Sequence, residues 1–280
     1  MGYTLVLMNK IVVKFGGSNL RKPEDIRKIV QVVRAYDRPL VVVVSAFYGI
    51  TNTLIDCVRQ AREADRLAGA EASTRLLTTR LRALKTTIIH ENIEWPEQRQ
   101  LALAAVSQRL DQLERYLLGI HYIGEVPDFV NDAVLSYGER LSSLVMTEVL
   151  RCHGIDAEEV LPEDMGLVTD GEYGNAACDF SACEGSVAAR LQADRIFLVP
   201  GFYGVSREGR ATLFGRGGSD YSAAAIARCV GADSLDVWKD VDGFLSSDPG
   251  QVDTPVHIRH LNYLEAAELS YFGAKILHPR

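Results

Sequence analysis

The 280 residues predict an α/β fold, a mainly parallel sheet with helices on both faces. Three observations lead there. Two β-branched apolar runs, Ile11–Phe15 and Leu40–Val44, flank an amphipathic segment. That makes a strand–helix–strand unit, which implies parallel strands. Further short apolar runs alternate with helical periodicity along the rest of the chain. Finally, one glycine pair follows the first strand and a second precedes a late helical run, where an α/β fold can hold anions.

Taken in order, Ile11–Phe15 reads as a buried strand. Pro23 opens a helix to about Tyr36, with Ile26, Ile29, Val30 and Val33 on its apolar face. Leu40–Val44 is the second buried strand. Thr51 to about Leu118 shows no clear strand; its spacing predicts two or three amphipathic helices, broken near Gly69 and Pro96. They are expected to form a lobe beside the sheet, with their arginines on a solvated face. Asn131–His153 reads as a helix containing Gly138-Glu139, and Glu139 taken alone reads as a surface carboxylate. Strands are expected near Ala157–Val160 and Leu167–Thr169, then a helix around Cys183–Ala193 and a strand at Ile196–Val199. Glu208-Gly209 marks a hairpin turn, Ser219–Cys229 a helix and Ser234–Trp238 a strand. Asn262 and Glu265 have capping-box spacing for a helix ending near Ser270.

Composition narrows the class. The chain is 47% hydrophobic and 24% charged, without repeats or low-complexity tracts. Its longest apolar runs are far too short to cross a bilayer, and no signal-peptide pattern is seen. Met8 offers an alternative start, with Met1–Leu7 as an extension. The net charge of −7 argues against a nucleic-acid surface. Positive charge for an anionic ligand must therefore be local, at Lys14, Arg216, Lys239 and Lys275. Five cysteines, an odd number without CxxC spacing, read as reduced thiols in a cytoplasmic protein. A functional Cys178–Cys183 pair is disfavoured. His257, His260 and His278 lack metal-ligand spacing and are expected to be structural or superficial.

The chemistry concentrates in the glycine loops. In Gly215-Arg216-Gly217-Gly218-Ser219-Asp220, two glycines stand between a cation and an acid at a helix start. A helix start offers N–H groups and a positive dipole end, and Arg216 can grip a carboxylate or phosphate with two hydrogen bonds. Lys14-Phe15-Gly16-Gly17-Ser18 supplies the second loop. Two such loops suggest two anionic groups held face to face, as phosphoryl transfer to an acidic substrate requires.

Six segments carry a resemblance: VVKFGGSNL (Val12–Leu20), VVSAFYGITNTL (Val43–Leu54), LSYGERLSS (Leu135–Ser143), LFGRGGSDYSAAAIA (Leu213–Ala227), VWKDVDGFLSSDP (Val237–Pro249) and ELSYFGAKILHP (Glu268–Pro279). In this order they resemble the catalytic domain of the aspartate kinases, in the amino-acid kinase superfamily. The resemblance implies a three-layer α/β/α sandwich with a helical lobe (residues 51–125) inside a catalytic domain of residues 9–280. It also implies transfer of the ATP γ-phosphoryl to L-aspartate, the first step toward lysine, threonine and methionine. Lys14 and Asp220 match the catalytic positions, Asp220 orienting Lys14. Glu139 would take the substrate ammonium and Arg216 its α-carboxylate. Ser45, Ala46, Thr51, Phe202, Gly217, Gly218 and Ser219 match the rest of the aspartate pocket. Lys14, Gly16, Gly17, Lys239, Asp240, Phe244, Asp248, Lys275 and Ile276 match the ATP positions. Magnesium would bridge the phosphates mostly through water, so no metal residue is named.

Three departures stand out. Ser18-Asn19 replaces the common Thr-Ser, with little loss expected because serine keeps the hydroxyl. Gly250 stands where a basic residue often follows Asp-Pro, which would weaken ATP binding. The chain also stops where family members usually continue into regulatory domains, so neither lysine nor threonine is expected to inhibit it. A monomer and a homodimer formed through its own surface both remain open. Two rival functions survive at this level: a superfamily enzyme acting on a glutamate derivative, and a non-catalytic sensor of nucleotide or aspartate. A dinucleotide-binding dehydrogenase is disfavoured because GxGxxG spacing is missing after the first strand.

Overall fold

The computed structural model describes residues 10–63, 70–239, 243–246, 252 and 254–271. The chain opens with β1 (Ile11–Phe15), α1 (Pro23–Ala35) and β2 (Leu40–Val44). Three helices follow: α2 (Ile50–Glu63), α3 (Ala70–Asn92) and α4 (Pro96–Ile123). Next come the long α5 (Asp128–Cys152), β3 (Ala157–Glu159), α6 (Pro162–Met165) and α7 (Phe180–Arg190). Then β4 (Ile196–Pro200) leads to the hairpin β5 (Tyr203–Val205) and β6 (Ala211–Leu213). The described chain closes with α8 (Gly218–Val230), β7 (Ser234–Trp238), the small hairpin β8 (Phe244–Leu245) and β9 (His257–Ile258), and α9 (Tyr263–Tyr271).

Five parallel strands form the sheet in the order β3-β4-β2-β1-β7. β1 is held between β2 and β7, with Val13 opposite Val42 and Asp236. Central parallel strands are covered on both faces, which is why β1 and β2 read as near-continuous apolar runs. Alternate side chains serve different layers. Val13, Phe15, Val42 and Val44 pack into the core shared with α1 to α5. Val12, Val41 and Val43 pack on the other face with Met165, Val187 and Ile226 from α6, α7 and α8. The result is a three-layer α/β/α sandwich, with α2, α3 and α4 packed on one another and on α5. Among the described residues, no helix is long and apolar enough to cross a membrane.

Most expected elements form, with differences at their edges. The helix expected from Asn131 begins at Asp128, and that expected around Cys183–Ala193 spans Phe180–Arg190. Asp179 explains the latter shift, because its carboxylate caps the helix by accepting from the Ala182 N–H. Leu167–Thr169 makes isolated bridges rather than a strand, Val168 to Val205 and Thr169 to Cys178. The expected capping box is made: Glu265 N–H donates to Asn262, and Asn262 N–H to the Glu265 carboxylate. One helical arginine is not on a solvated face. Arg109 is largely buried and donates through both terminal nitrogens to Glu159 on β3, which ties α4 to the sheet edge. Cys178, Cys183 and Cys229 are buried free thiols, with Sγ separations of 3.3 and 3.9 Å along the trio. Burial pushes the Cys229 thiol up to about 12, so it stays protonated at neutral pH.

Candidate active site

A cavity of about 740 Å³ opens where β1, β2 and β4 end and α8 begins. Ligands of open α/β sheets bind beyond the carboxyl ends of the strands, because the loops there meet the positive ends of helices. The strand ends are knitted together: Ser45 N–H donates to the Phe15 carbonyl, Gly201 N–H to that of Val44 and Gly16 N–H to that of Trp238.

Lys14 is the central cation. It sits on β1 with its side chain 7% exposed and its Nζ 2.6 Å from Asp220 Oδ1. Lys239, just past β7, reaches the other Asp220 oxygen at 3.0 Å. Burial lowers the Lys14 pKa, and the Asp220 carboxylate opposes that shift. Burial likewise pushes Asp220 up, but the two lysines outweigh it and hold the carboxyl below its ordinary value. One carboxylate between two lysines leaves one net positive charge beside the cavity. Arg216 lines the cavity on the approach to α8 and is exposed.

The α8 loop is shaped by backbone. Gly217 caps the helix in the left-handed region (φ 76°), where a side chain would be strained. Phe202 also has a positive φ, 77°, uncommon for a bulky residue. Its carbonyl accepts from the Phe214 N–H, which anchors the strand entering the glycine loop.

Glu139 is not a surface carboxylate. It is 3% exposed, projecting from the middle of α5. Its Oε1 accepts from the Ala46 N–H at 3.0 Å, and its buried Oε2 has no hydrogen-bond partner. Burial pushes its carboxyl up to about 8, against the opposing pull of the Ala46 N–H, Lys14 and Lys85. One turn on, the Ser142 hydroxyl accepts from the Phe47 N–H, so α5 grips the loop after β2 at two points.

The expected residues therefore converge in large part. Lys14, Gly17, Ser45, Ala46, Thr51 and Glu139 line the cavity. Phe202 and Arg216 through Asp220 line it with them. Gly16 lies at the end of β1, and Lys239 joins through Asp220. Phe244 opens β8. Asp240, Asp248, Lys275 and Ile276 lie outside the described residues, as does Gly250.

Several contributors escape sequence reasoning. Phe47, Asn52, Asn131, Gly174 and Leu213 also line the cavity. Asp132 holds two of them in place: its Oδ2 accepts from the Gly174 N–H at 2.8 Å and the Leu213 N–H at 2.9 Å. It is 1% exposed, and burial pushes its carboxyl up while these two N–H groups oppose the rise. Buried polar residues Ser136, Glu139 and Ser143 follow Asp132 at helical spacing, so nothing in the local pattern singles out this clamp.

Donor chemistry bears on the groups such a site would hold. Two lysines and a helix start suit a polyphosphate. Among the described residues, no group of three or more His, Cys, Asp or Glu is placed to hold a metal ion, and both Asp220 oxygens are engaged by lysines. These residues thus form no dedicated metal cage.

Known proteins resemble this chain in sequence and in fold. The model of the amino acid kinase family matches residues 9–280. The lysine-sensitive aspartokinase 3 of Escherichia coli is 30% identical over 97% of this chain and 58% of its own length. Aspartokinase 1 of Arabidopsis thaliana is 31% identical over 96% of this chain and 47% of its own length. The crystal structure of E. coli aspartokinase III with aspartate and ADP superposes with a TM-score of 0.83 at 28% identity, covering 96% of this chain and 57% of that one. The chain thus spans about half the length of these relatives. A uridylate kinase from Archaeoglobus fulgidus, 15% identical with a TM-score of 0.50, shares the fold alone. With the sheet, the glycine loops and the match over residues 9–280 in agreement, the chain belongs to the amino acid kinase family.

Proposed function

We propose that residues 9–280 form the catalytic domain of an aspartate kinase, with residues 51–125 as its helical lobe. It transfers the γ-phosphoryl of ATP to the side-chain carboxylate of L-aspartate, giving 4-phospho-L-aspartate and ADP. This is the first step toward lysine, threonine and methionine, carried out in the cytoplasm. One observation carries the reading: a single cavity joins the Lys14–Asp220–Lys239 clamp to a buried Glu139 whose Oε2 is unpaired. The clamp suits a phosphoryl group, and the unpaired oxygen suits an ammonium. The aspartokinase relatives, one of them solved with aspartate and ADP, support the same reading.

In this proposal Glu139 accepts the substrate ammonium and Arg216 pairs with the α-carboxylate. Ser45, Ala46, Thr51, Phe202, Gly217, Gly218 and Ser219 complete the pocket. The acceptor carboxylate, with an ordinary pKa of about 3.9, is already ionised at neutral pH and needs no general base. The barrier is repulsion between two anions, so catalysis rests on positioning and positive charge. Lys14 lies between acceptor and phosphoryl and stabilises the oxygens on which charge gathers. Asp220 fixes where Lys14 points. Gly16, Gly17, Lys239, Asp240, Phe244, Asp248, Lys275 and Ile276 hold the nucleotide. Magnesium, carried in by the phosphates and water, supplies further charge neutralisation.

The test is hydroxylamine trapping of the acyl phosphate with ATP, magnesium and L-aspartate. Product with aspartate but not glutamate is expected, with Lys14→Ala lowering turnover by about 10²–10³-fold. Aspartate and ATP binding without turnover would mark a sensor instead, and no binding of either would end the assignment.

A further inference from the structure

Lys85 is a buried lysine that the proposed mechanism does not use. It lies on α3 and is 0% exposed, and its Nζ has no hydrogen-bond partner. An ammonium is rarely placed where neither water nor an acceptor reaches it. Its Nζ stands over the Phe47 ring, 3.5 Å from the centroid. Phe47 in turn lines the cavity, so a single ring lies between Lys85 and the substrate site. Burial pushes the Lys85 pKa well below the ordinary lysine value, and the charge that opposes this shift is that of Glu139 on α5. Glu139 carries the matching defect, a buried oxygen without a partner. Two buried groups of opposite charge type, each with one polar atom lacking a partner, thus lie within reach of each other's field. Each lowers the cost of the other's ionisation, since their attraction is poorly screened there.

We propose that Lys85 is a positioning residue for the amino-acid substrate: from behind Phe47 it favours the ionised form of Glu139, the form that can receive the substrate ammonium. This rests on the reading of Glu139 as the ammonium partner. Lys14 also favours ionised Glu139, and more strongly than Lys85 does, but it is shared with Asp220 at 2.6 Å, so Lys85 adds to its pull rather than replacing it. Lys239 is likewise committed to Asp220. Arg216 lines the cavity from the glycine loop before α8. The helices α1, α2, α4 and α5 pack against α3, and Glu139 is the acid among them that attracts Lys85.

The sign of the effect follows. Aspartate binding needs ionised Glu139, so affinity rises with pH through that group's titration, which burial places at about 8. Removing the Lys85 charge moves the midpoint higher. A shift of one unit costs about tenfold in aspartate affinity well below the midpoint and little above it.

The experiment is calorimetric aspartate affinity between pH 6.5 and 9 (a test range, about one to two units around the midpoint) for the unmutated protein, Lys85→Met, Lys85→Arg and Glu139→Gln. The expected result is a raised midpoint in Lys85→Met, a midpoint restored by Lys85→Arg, and weak, pH-independent binding in Glu139→Gln. Lys85→Gln, which keeps a polar head, carries the same expectation should the methionine variant fail to fold. An unmoved midpoint, or an equal loss of affinity at every pH, overturns the role of Lys85. Full aspartate affinity in Glu139→Gln, or no aspartate binding by the unmutated protein, overturns the reading beneath it and this proposal with it.

Discussion

Gly138 sits in the interior of α5, where glycine costs a helix about 0.8–1.0 kcal/mol relative to alanine. Gly138→Ala should therefore stabilise the protein if propensity alone decided. The structure reverses that expectation. A Cβ at Gly138 would stand 2.8 Å from the Ala46 Cβ, against an ordinary carbon–carbon separation of about 3.5–4.0 Å. Neither atom can rotate away, so α5 and the loop after β2 must part by roughly 1 Å. Overpacking of this kind costs about 1–3 kcal/mol, which outweighs or cancels the helical gain and leaves a net loss of about 0–2 kcal/mol. The displaced atoms belong to the residue whose N–H holds Glu139, so binding should suffer more than stability does. A misplacement of about 1 Å can cost on the order of 10²-fold in rate. Gly119 in α4 supplies the control, because a Cβ there meets nothing within 4 Å. Gly119→Ala should gain about 0.4–1 kcal/mol and leave substrate affinity alone. Urea denaturation and aspartate titration on both variants read the contrast directly. Equal stabilisation by the two substitutions, with aspartate affinity unchanged, would refute the argument that α5 approaches the loop too closely for a side chain.

Three further outcomes follow from the same geometry. Asp132→Ala leaves the Gly174 and Leu213 N–H groups without their acceptor, at about 1–3 kcal/mol for each group left unpaired. A urea midpoint within error of the parent would show that the clamp is not needed. Asp220 has a folded-state pKa held below its unfolded value, so its stabilising contribution is present above about pH 3.9 and lost as pH falls through the folded pKa. Asp220→Asn should therefore show a smaller loss of stability between pH 5 and 2 (from about one unit above the unfolded pKa to about two below it) than the parent; parallel stability curves would contradict this. Lys239→Met should leave the Lys14–Asp220 pair in place but weaken nucleotide binding by about tenfold or more, the worth of a charge-assisted contact. Unchanged ATP affinity by calorimetry would remove Lys239 from the site.

Much of the layered fold was legible because its signals are local. β1 and β2 are buried on both faces, so each must be apolar at every register position, and Lys14 is tolerated only where Asp220 meets it. The single-sided burial of α1 shows as Ile26, Ile29, Val30 and Val33 at helical spacing. The glycine loops announce themselves because left-handed backbone and close approach exclude other residues. Through them, Arg216, Gly218 and Asp220 could be picked out in sequence.

Other features depend on which distant segments meet. Glu139 reads as a solvated helical acid until α5 is laid beneath the loop after β2 and its carboxylate loses water. Asp132 draws together Gly174 and Leu213, 42 and 81 residues away along the chain, and no local pattern encodes those partners. Arg109 looks like one more surface arginine until Glu159, 50 residues later, meets it at the sheet edge. Lys85 looks equally ordinary until α3 closes against Phe47 and its Nζ is buried without a hydrogen-bond acceptor. Backbone conformation follows largely from neighbours in sequence, so strands, helices and glycine turns could be read there. Charge state follows from dielectric and from the nearest opposite charge, and both are set only when the layers pack.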